Sequence, residues 1–320
     1  MTPVCSIVIR AFNEERHIGR LLTGIAGQTV RDVQIILVDS GSTDATIEIA
    51  RRHPVEVVTI KPREFTFGRS LNLGIAQARA EVVVLASAHV YPVYPDWLEH
   101  LLAGFDDPKT ALVYGRQSGA LTTHYSEQRI FHHWYPDQSI RRQPTPFCNN
   151  ANAAIRRSLW EETPYNELLP GLEDLAWARR MFEKGYTVDY SAEAEVVHVH
   201  NETWRGIYNR YRRESMAFKT IYPQEHFGFA DFIRLFTVNV LDDWKSARRE
   251  KVLSKVWLDV VRFRYNQFLG TYHGYQQSGP LTWQLKQTFY YPRPPQAHTR
   301  PRSVEPIQYP DVPGGSNRPE

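Results

Sequence analysis

The chain has 320 residues, 42% of them hydrophobic and 23% charged, the make-up of an ordinary globular protein with room for one large domain or two smaller ones. A formal net charge of +3, with Lys and Arg mixed among Asp and Glu, offers no concentrated basic face and argues against nucleic acid as a partner. Two cysteines, Cys5 and Cys148, cannot build a disulfide framework; with no signal-like start and no apolar run near the ~20 residues that span a bilayer, the expected location is the cytoplasm.

Residues 4–9 are an apolar, β-branched run, the pattern of a strand buried on both faces, and Ile18, Leu21, Leu22 and Ile25 follow at helical spacing. The alternation repeats: strand over 33–38 and helix over 43–52 with Ser42 or Thr43 as its cap, then strand over 55–60 and a helix carrying Leu71, Ile75 and Ala78. A fourth strand covers 82–85 and a further helix 96–105. Strands alternating with helices imply βαβ units and an α/β fold, a mostly parallel sheet with helices on both faces. Ligands of such sheets sit at the carboxyl ends of the strands, which directs attention to residues 11–14, 39–44 and 87–89. Beyond about residue 115 the alternation weakens into an aromatic region (Tyr125, Phe131, His132, His133, Trp134, Tyr135), a helix near Leu175 and a strand over 196–200. Residues 227–275 read as one or more amphipathic helices, and the last 29 residues hold eight of the 21 prolines, a composition with little to bury.

Two motifs lie at strand ends. Arg10-Ala11-Phe12-Asn13-Glu14 opens a helix, whose free N–H groups favour anionic or polar ligands, although Asn and Glu there also serve as plain caps. In Val38-Asp39-Ser40-Gly41-Ser42-Thr43-Asp44, an Asp closing a strand can accept hydrogen bonds from a ribose hydroxyl or a uracil N–H; a cap-rich turn explains Ser42 and Asp44 but not Asp39. These motifs, in this order and spacing, resemble the family 2 glycosyltransferases of GT-A fold, and the resemblance runs from about residue 4 to 214. It implies that Ala11, Phe12, Glu14 and Asp39 hold a nucleotide, with Asp39 on the base, and it divides the chain into a GT-A domain (1–225), a C-terminal helical extension (226–290) and a proline-rich tail (291–320).

Further motifs extend the likeness. Phe65, Gly68 and Asn72 match the F-x-x-G-x-x-x-N of bacterial rhamnosyltransferase-like members, which implies that Gly68, Arg69 and Asn72 face the donor with Arg69 on a phosphate; an Arg on a solvated helix face is the plain alternative. The family's Asp-x-Asp, which ligates a divalent metal bridging the two phosphates, is replaced by Ser87-Ala88-His89. Imidazole ligates Mn²⁺ better than Mg²⁺, so His89 replaces the carboxylate as ligand or else hydrogen-bonds the phosphate or sugar, with Ser87 beside it. His198-Val199-His200 places two imidazoles on one face of a strand, where either completes a histidine-rich metal site with His89 or packs in the core. Glu173 and Asp174 open a helix, where capping alone could account for two carboxylates, but they follow a segment (148–157) similar to the one before the family's Glu-Asp pair; the resemblance makes Asp174 the base that takes the acceptor's proton, and Glu173 a holder of the acceptor or of the loop. Arg210 or Arg213, a dozen residues past the histidines, would meet a phosphate or lie on a charged helix face.

The expected reaction is therefore inverting, non-processive transfer of a sugar from a UDP- or dTDP-sugar to a saccharide or lipid-linked saccharide hydroxyl, with Mn²⁺ or Mg²⁺ as cofactor, in surface polysaccharide or glycolipid synthesis. The missing Asp-x-Asp motivates one rival, a catalytically inactive nucleotide-sugar-binding relative; retention of Glu173 and Asp174 counts against it. Trp244, Trp257, Phe263, Tyr265 and Phe268 among basic residues would touch a membrane surface, form a homodimer contact or pack on the catalytic domain.

Overall fold

The computed structural model describes residues 2–200 and 202–277, together with Thr282 and Leu285; the proline-rich segment lies outside them. One eight-stranded sheet runs in the order β3-β2-β1-β4-β7-β6-β8-β5. Its first half is β1 (Cys5–Ala11), β2 (Val33–Asp39), β3 (Val55–Thr59) and β4 (Val82–Ser87), all parallel, linked by α1 (Ile18–Ala26), α2 (Thr46–Ala50) and α3 (Phe67–Ile75). Because successive side chains of a strand point to opposite faces, β1 sends Ile7 and Ile9 towards α1 and Val8 towards α3. Both faces of β1, β2 and β4 are covered, which is why these strands are largely apolar, whereas β3 at the sheet edge is only partly buried and carries the exposed Glu56.

The second half is mixed. The short β5 (Val90–Pro92) and α4 (Trp97–Leu102) are followed by β6 (Thr110–Gly119), α5 (Tyr125–Trp134), β7 (Asn152–Arg156), α6 (Arg157–Glu162), α7 (Glu173–Glu183) and β8 (Thr187–His198). β7 runs antiparallel between β4 and β6, and β8 is parallel to β6 but antiparallel to β5. The first residue of β7 fastens this junction. Asn152 is fully buried; its amide nitrogen donates to the carbonyls of Arg116 (3.0 Å) and Ala194 (2.8 Å), and its oxygen accepts from the Trp97 indole at 2.8 Å. Both cysteines are buried, and burial pushes the Cys5 thiol up to about 12 and Cys148 upward as well.

Three helices complete the described chain: α8 (Trp204–Ile221), α9 (Phe229–Arg249) and α10 (Leu253–Gln276). Two glycines on α10 let its backbone touch that of α8: a Cβ on Gly270 would sit 2.4 Å from the Tyr208 carbonyl oxygen, and one on Gly274 2.4 Å from that of Arg212. A buried ion-pair network ties this extension to the sheet domain. Asp243 of α9, 1% exposed, accepts from Arg264 of α10 (Nε 2.8 Å, Nη2 3.1 Å), from Arg129 of α5 (2.9 Å) and from the Ser126 hydroxyl (2.6 Å). Removing one partner of such a network strands a buried charge. Asp243→Ala should therefore cost about 3–5 kcal/mol in urea unfolding; a loss no larger than that of an exposed ion pair would contradict the anchoring role.

Candidate active site

The parallel strands β1, β2 and β4 end side by side, with Ala11 opposite Asp39 and Arg10 opposite Ser87. The Asp39 carboxylate, 4% exposed, accepts from the N–H groups of Gly41 (3.0 Å) and Ser42 (3.1 Å), a turn that Gly41 permits with φ at 93°. Asn13, at φ 55°, locks the neighbouring turn against it: its N–H donates to the Ser42 hydroxyl (2.9 Å) and its side-chain oxygen accepts from the Thr43 N–H (2.8 Å). Ser42 and Thr43 thus tie two loops together instead of capping α2, whose first N–H is met by Asp44 at 3.0 Å. Phe12 follows Ala11 half-buried at the same strand edge.

The three histidines converge. His89 follows β4, His198 ends β8 and His200 lies two residues on, and one ring nitrogen from each lies within 4.8 Å of the others. Each Nδ1 faces an oxygen at 2.7 Å: Glu14 Oε1 for His89, Gln117 Oε1 for His198 and Glu127 Oε1 for His200. Glu14, expected on the nucleotide, is instead turned onto His89. Burial alone would lower the His89 pKa, but the Glu14 carboxylate outweighs it and the pKa is raised. Burial, with His200, His89, Arg210 and Arg10 around it, holds His198 well below the usual range and keeps that ring neutral. Burial would raise Glu127, yet Arg210 and His200 hold it down at about 2. Oxygen acceptors on Nδ1 leave the Nε2 atoms as metal donors, so the residues present fit a divalent cation.

The carboxylate pair opens α7. Glu173 and Asp174 are 4% and 8% exposed, and the preceding Leu172 holds a left-handed φ of 53°, a strained conformation for leucine, where the chain turns into the helix. Asp174 accepts from the N–H groups of Asn150 (3.1 Å) and Leu175 (2.8 Å). Burial, followed by the like charge of Glu173, nevertheless raises the Asp174 pKa to about 7, against the pull of those N–H groups and of Arg10. Arg10 reaches Glu173 at 3.5 Å and also bears on His89 and His198, so one guanidinium lies between the imidazoles and the carboxylates. It shares the Phe67 ring with Arg213, each 4.8 Å from the centroid.

Four donor-side expectations are revised. A Cβ on Gly68 would lie 2.5 Å from the Asn166 carbonyl oxygen, so this glycine serves close packing of α3 on that segment. The Asn72 amide is used up within the protein, donating to the Tyr165 carbonyl (2.9 Å) and Glu167 (3.0 Å) and accepting from the Trp160 indole (2.9 Å) and Tyr165 N–H (3.0 Å). Arg69 pairs with Glu167 at 3.3 Å and Glu64 at 3.8 Å. Arg210 is neutralised by Glu127 (2.5 Å) and Glu202 (2.8 Å), which turns its guanidinium towards the histidine supports. Three site residues escaped sequence reasoning. Glu127 and Gln117 carry no local signal, because their partners lie 73 and 81 residues away. Arg10, a charge closing an apolar strand, was visible and unused.

A half-parallel sheet whose strand ends carry Asp39 and a histidine cluster, beside the buried carboxylate pair that opens α7, defines a GT-A glycosyltransferase. A family profile described as Glycosyl transferase family 2 matches residues 6–163. Among curated proteins the chain is similar to the O-antigen chain rhamnosyltransferase RfbN of Salmonella typhimurium, 31% identical over 64% of this chain and 69% of the relative, and to WbaN of Salmonella anatum, 33% identical over 58% and 62%. Among solved structures it is similar in fold to the mannosyltransferase PcManGT of Pyrobaculum calidifontis in complex with GDP-Man and Mn²⁺, with a TM-score of 0.58 and 18% identity over 84% of this chain and 86% of that one. It is also similar to glucosyl-3-phosphoglycerate synthase of Mycobacterium tuberculosis in complex with Mn²⁺ and UDP-glucose, with a TM-score of 0.52 and 19% identity over 68% and 79%. The chain belongs to glycosyl transferase family 2.

The carboxylate pair makes a stability prediction. An unfolded Asp titrates near ~3.9, and Asp174 in the fold near about 7. Between those values the folded chain holds a proton that the unfolded chain has released, so this group's contribution to stability falls as pH rises. Asp174→Asn should lose less unfolding free energy between pH 5 and pH 8 than the parent; equal losses would mean the carboxyl is not raised.

Proposed function

We propose that this glycosyltransferase moves a hexosyl or deoxyhexosyl group, rhamnosyl among the candidates, from a UDP- or dTDP-sugar to an acceptor hydroxyl with inversion, one sugar per encounter. The observation that carries the reading is the buried Asp174, whose raised pKa suits a base working near neutral pH, set in a pair with Glu173. Asp174 takes the acceptor's proton as its oxygen bonds to the anomeric carbon, and the bond from that carbon to the diphosphate breaks, its electron pair leaving with the nucleotide. Asp39 and the Ala11–Phe12 edge receive the base and ribose, and Arg213 and Arg10, sharing Phe67, steady the negative charge of the diphosphate. His89, His198 and His200 would hold a divalent cation, which when bound neutralises charge on the leaving group. The acceptor class follows from the rhamnosyltransferase relatives of O-antigen chains: a saccharide or lipid-linked saccharide of surface polysaccharide synthesis.

No described helix is long and apolar enough to cross a membrane. The α9–α10 hairpin nevertheless exposes Val238, Leu241, Trp257 and Leu258 beside Lys245, Arg248, Arg249, Lys251 and Lys255, a mixture suited to a peripheral anionic surface.

Asp174→Asn should lower transfer by about 10²–10⁴-fold while donor binding is kept; transfer at parental rate, or product of retained anomeric configuration, would refute the mechanism. The same reading makes transfer fall as pH drops through about 7, because protonated Asp174 cannot accept the acceptor's proton. Full-length chain should co-sediment with phosphatidylglycerol vesicles and lose most of that binding in a Lys245→Glu, Arg248→Glu, Arg249→Glu variant; a dimer that forms without lipid and ignores these changes would assign the face to a second copy instead.

A further inference from the structure

The histidine cluster carries an inference beyond its use in transfer, resting on the reading that it holds a metal. We propose that His89, His198 and His200 form a resident metal centre, assembled by the fold before any nucleotide arrives, that selects borderline ions such as Zn²⁺ or Co²⁺ over Mg²⁺, and that Glu14, Gln117 and Glu127 are its positioning residues. The geometry points to this at the His198–His200 pair. Their Nε2 atoms are 3.0 Å apart, while each Nδ1 is 2.7 Å from a side-chain oxygen. With the ring protons donated to Gln117 and Glu127, two lone pairs face each other at contact distance, an arrangement that repels unless a cation lies between them.

The supports come from distant places in the chain, yet all converge on Nδ1 atoms. Glu14 opens the β1–α1 loop, Gln117 lies in β6 and Glu127 in the first turn of α5. Gln117 and Glu127 are each 1% exposed, and Arg210 clamps Glu127 at 2.5 Å, so two of the three rings are fixed from behind. Phe131 closes the cluster from one side, its ring 6.2 Å from His198 and 5.5 Å from His200. The His89 side chain is 32% exposed, which leaves an approach from solvent. Three converging imidazoles, two of them fixed from behind, with one open side match sites in which three protein ligands hold the ion and water takes the fourth position, so no phosphate oxygen is needed to assemble it. Neutral nitrogen donors suit Zn²⁺ and Co²⁺, whereas Mg²⁺ demands oxygen. The carboxylates of Glu14 and Glu127 stay behind the rings, where they fix the tautomers of His89 and His200 and raise the basicity of the ligating nitrogens.

The test uses the untagged full chain, stripped by chelator and free of nucleotide. Zn²⁺ should bind one per chain by calorimetry and raise the melting temperature, Co²⁺ should give visible absorption bands of nitrogen ligation, and millimolar Mg²⁺ should do neither. Replacing the exposed His132 and His133 by Gln should leave this unchanged, which excludes surface imidazoles. His198→Ala should abolish it; should that variant fail to fold, Glu14→Gln and Glu127→Gln should each weaken binding by about 10–100-fold. Uptake only when a nucleoside diphosphate is added, or equal response to Mg²⁺, would overturn the proposal and would assign the 3.0 Å contact to a shared proton. Metal uptake without sugar transfer would instead defeat the proposed reaction and leave the centre standing, whereas sugar transfer by a parent chain that takes up no metal would do the reverse.

Discussion

The molecule turns on a single buried amide. Asn152 starts β7, which runs against both of its neighbours, and its side chain uses three hydrogen bonds to hold β6, β8 and α4 at the point where the parallel half of the sheet meets the mixed half. Two residues earlier, the Asn150 N–H grips Asp174. The turn that sets the sheet junction therefore also sets the position of Asp174. Moving β7 along its neighbours would displace the carboxylates and the β8 end that carries His198 together, because side-chain register in a sheet is all or nothing.

The site has two electrostatic halves that share a border. On one side lie imidazoles backed by carboxylates; on the other lie two carboxylates kept from water, one with its proton affinity raised. Arg10 stands between them and acts on both. Imidazole nitrogens thus face one end of the site and titratable carboxylates the other, with the Arg10 guanidinium as the charge between them.

The first half of the fold was legible in the sequence because most of its strands are buried on both faces: residues 4–9, 33–38 and 82–85 announce themselves as apolar runs, the edge strand at 55–60 by its β-branched residues, and each falls within a residue or two of an observed strand. The second half was not. β7 is built from Asn, Ala, Ile and Arg, too small and mixed to stand out, and the first residues of β8 lack alternation because 188–192, Asp189 and Tyr190 among them, are all buried. The aromatic stretch 125–135 gave no periodic signal of α5, since its rings pack on histidines and tyrosines contributed by other strands. The histidine triad could be named from spacing and resemblance. Its supports could not, since a Glu in one helix and a Gln in one strand acquire meaning only when folding brings rings against them. The Phe65–Asn72 segment illustrates the opposite failure: a matching pattern of residue types whose glycine and asparagine hold the fold together at residues 160–167.

The two buried cysteines have a practical corollary. Neither thiol presents a thiolate to solvent, since burial favours the protonated form of both. A cysteine placed on the exposed rim of the α9–α10 hairpin would then be the only thiol an alkylating dye or spin label meets, with Cys5 and Cys148 left as they are. The native chain comes ready for site-directed labelling.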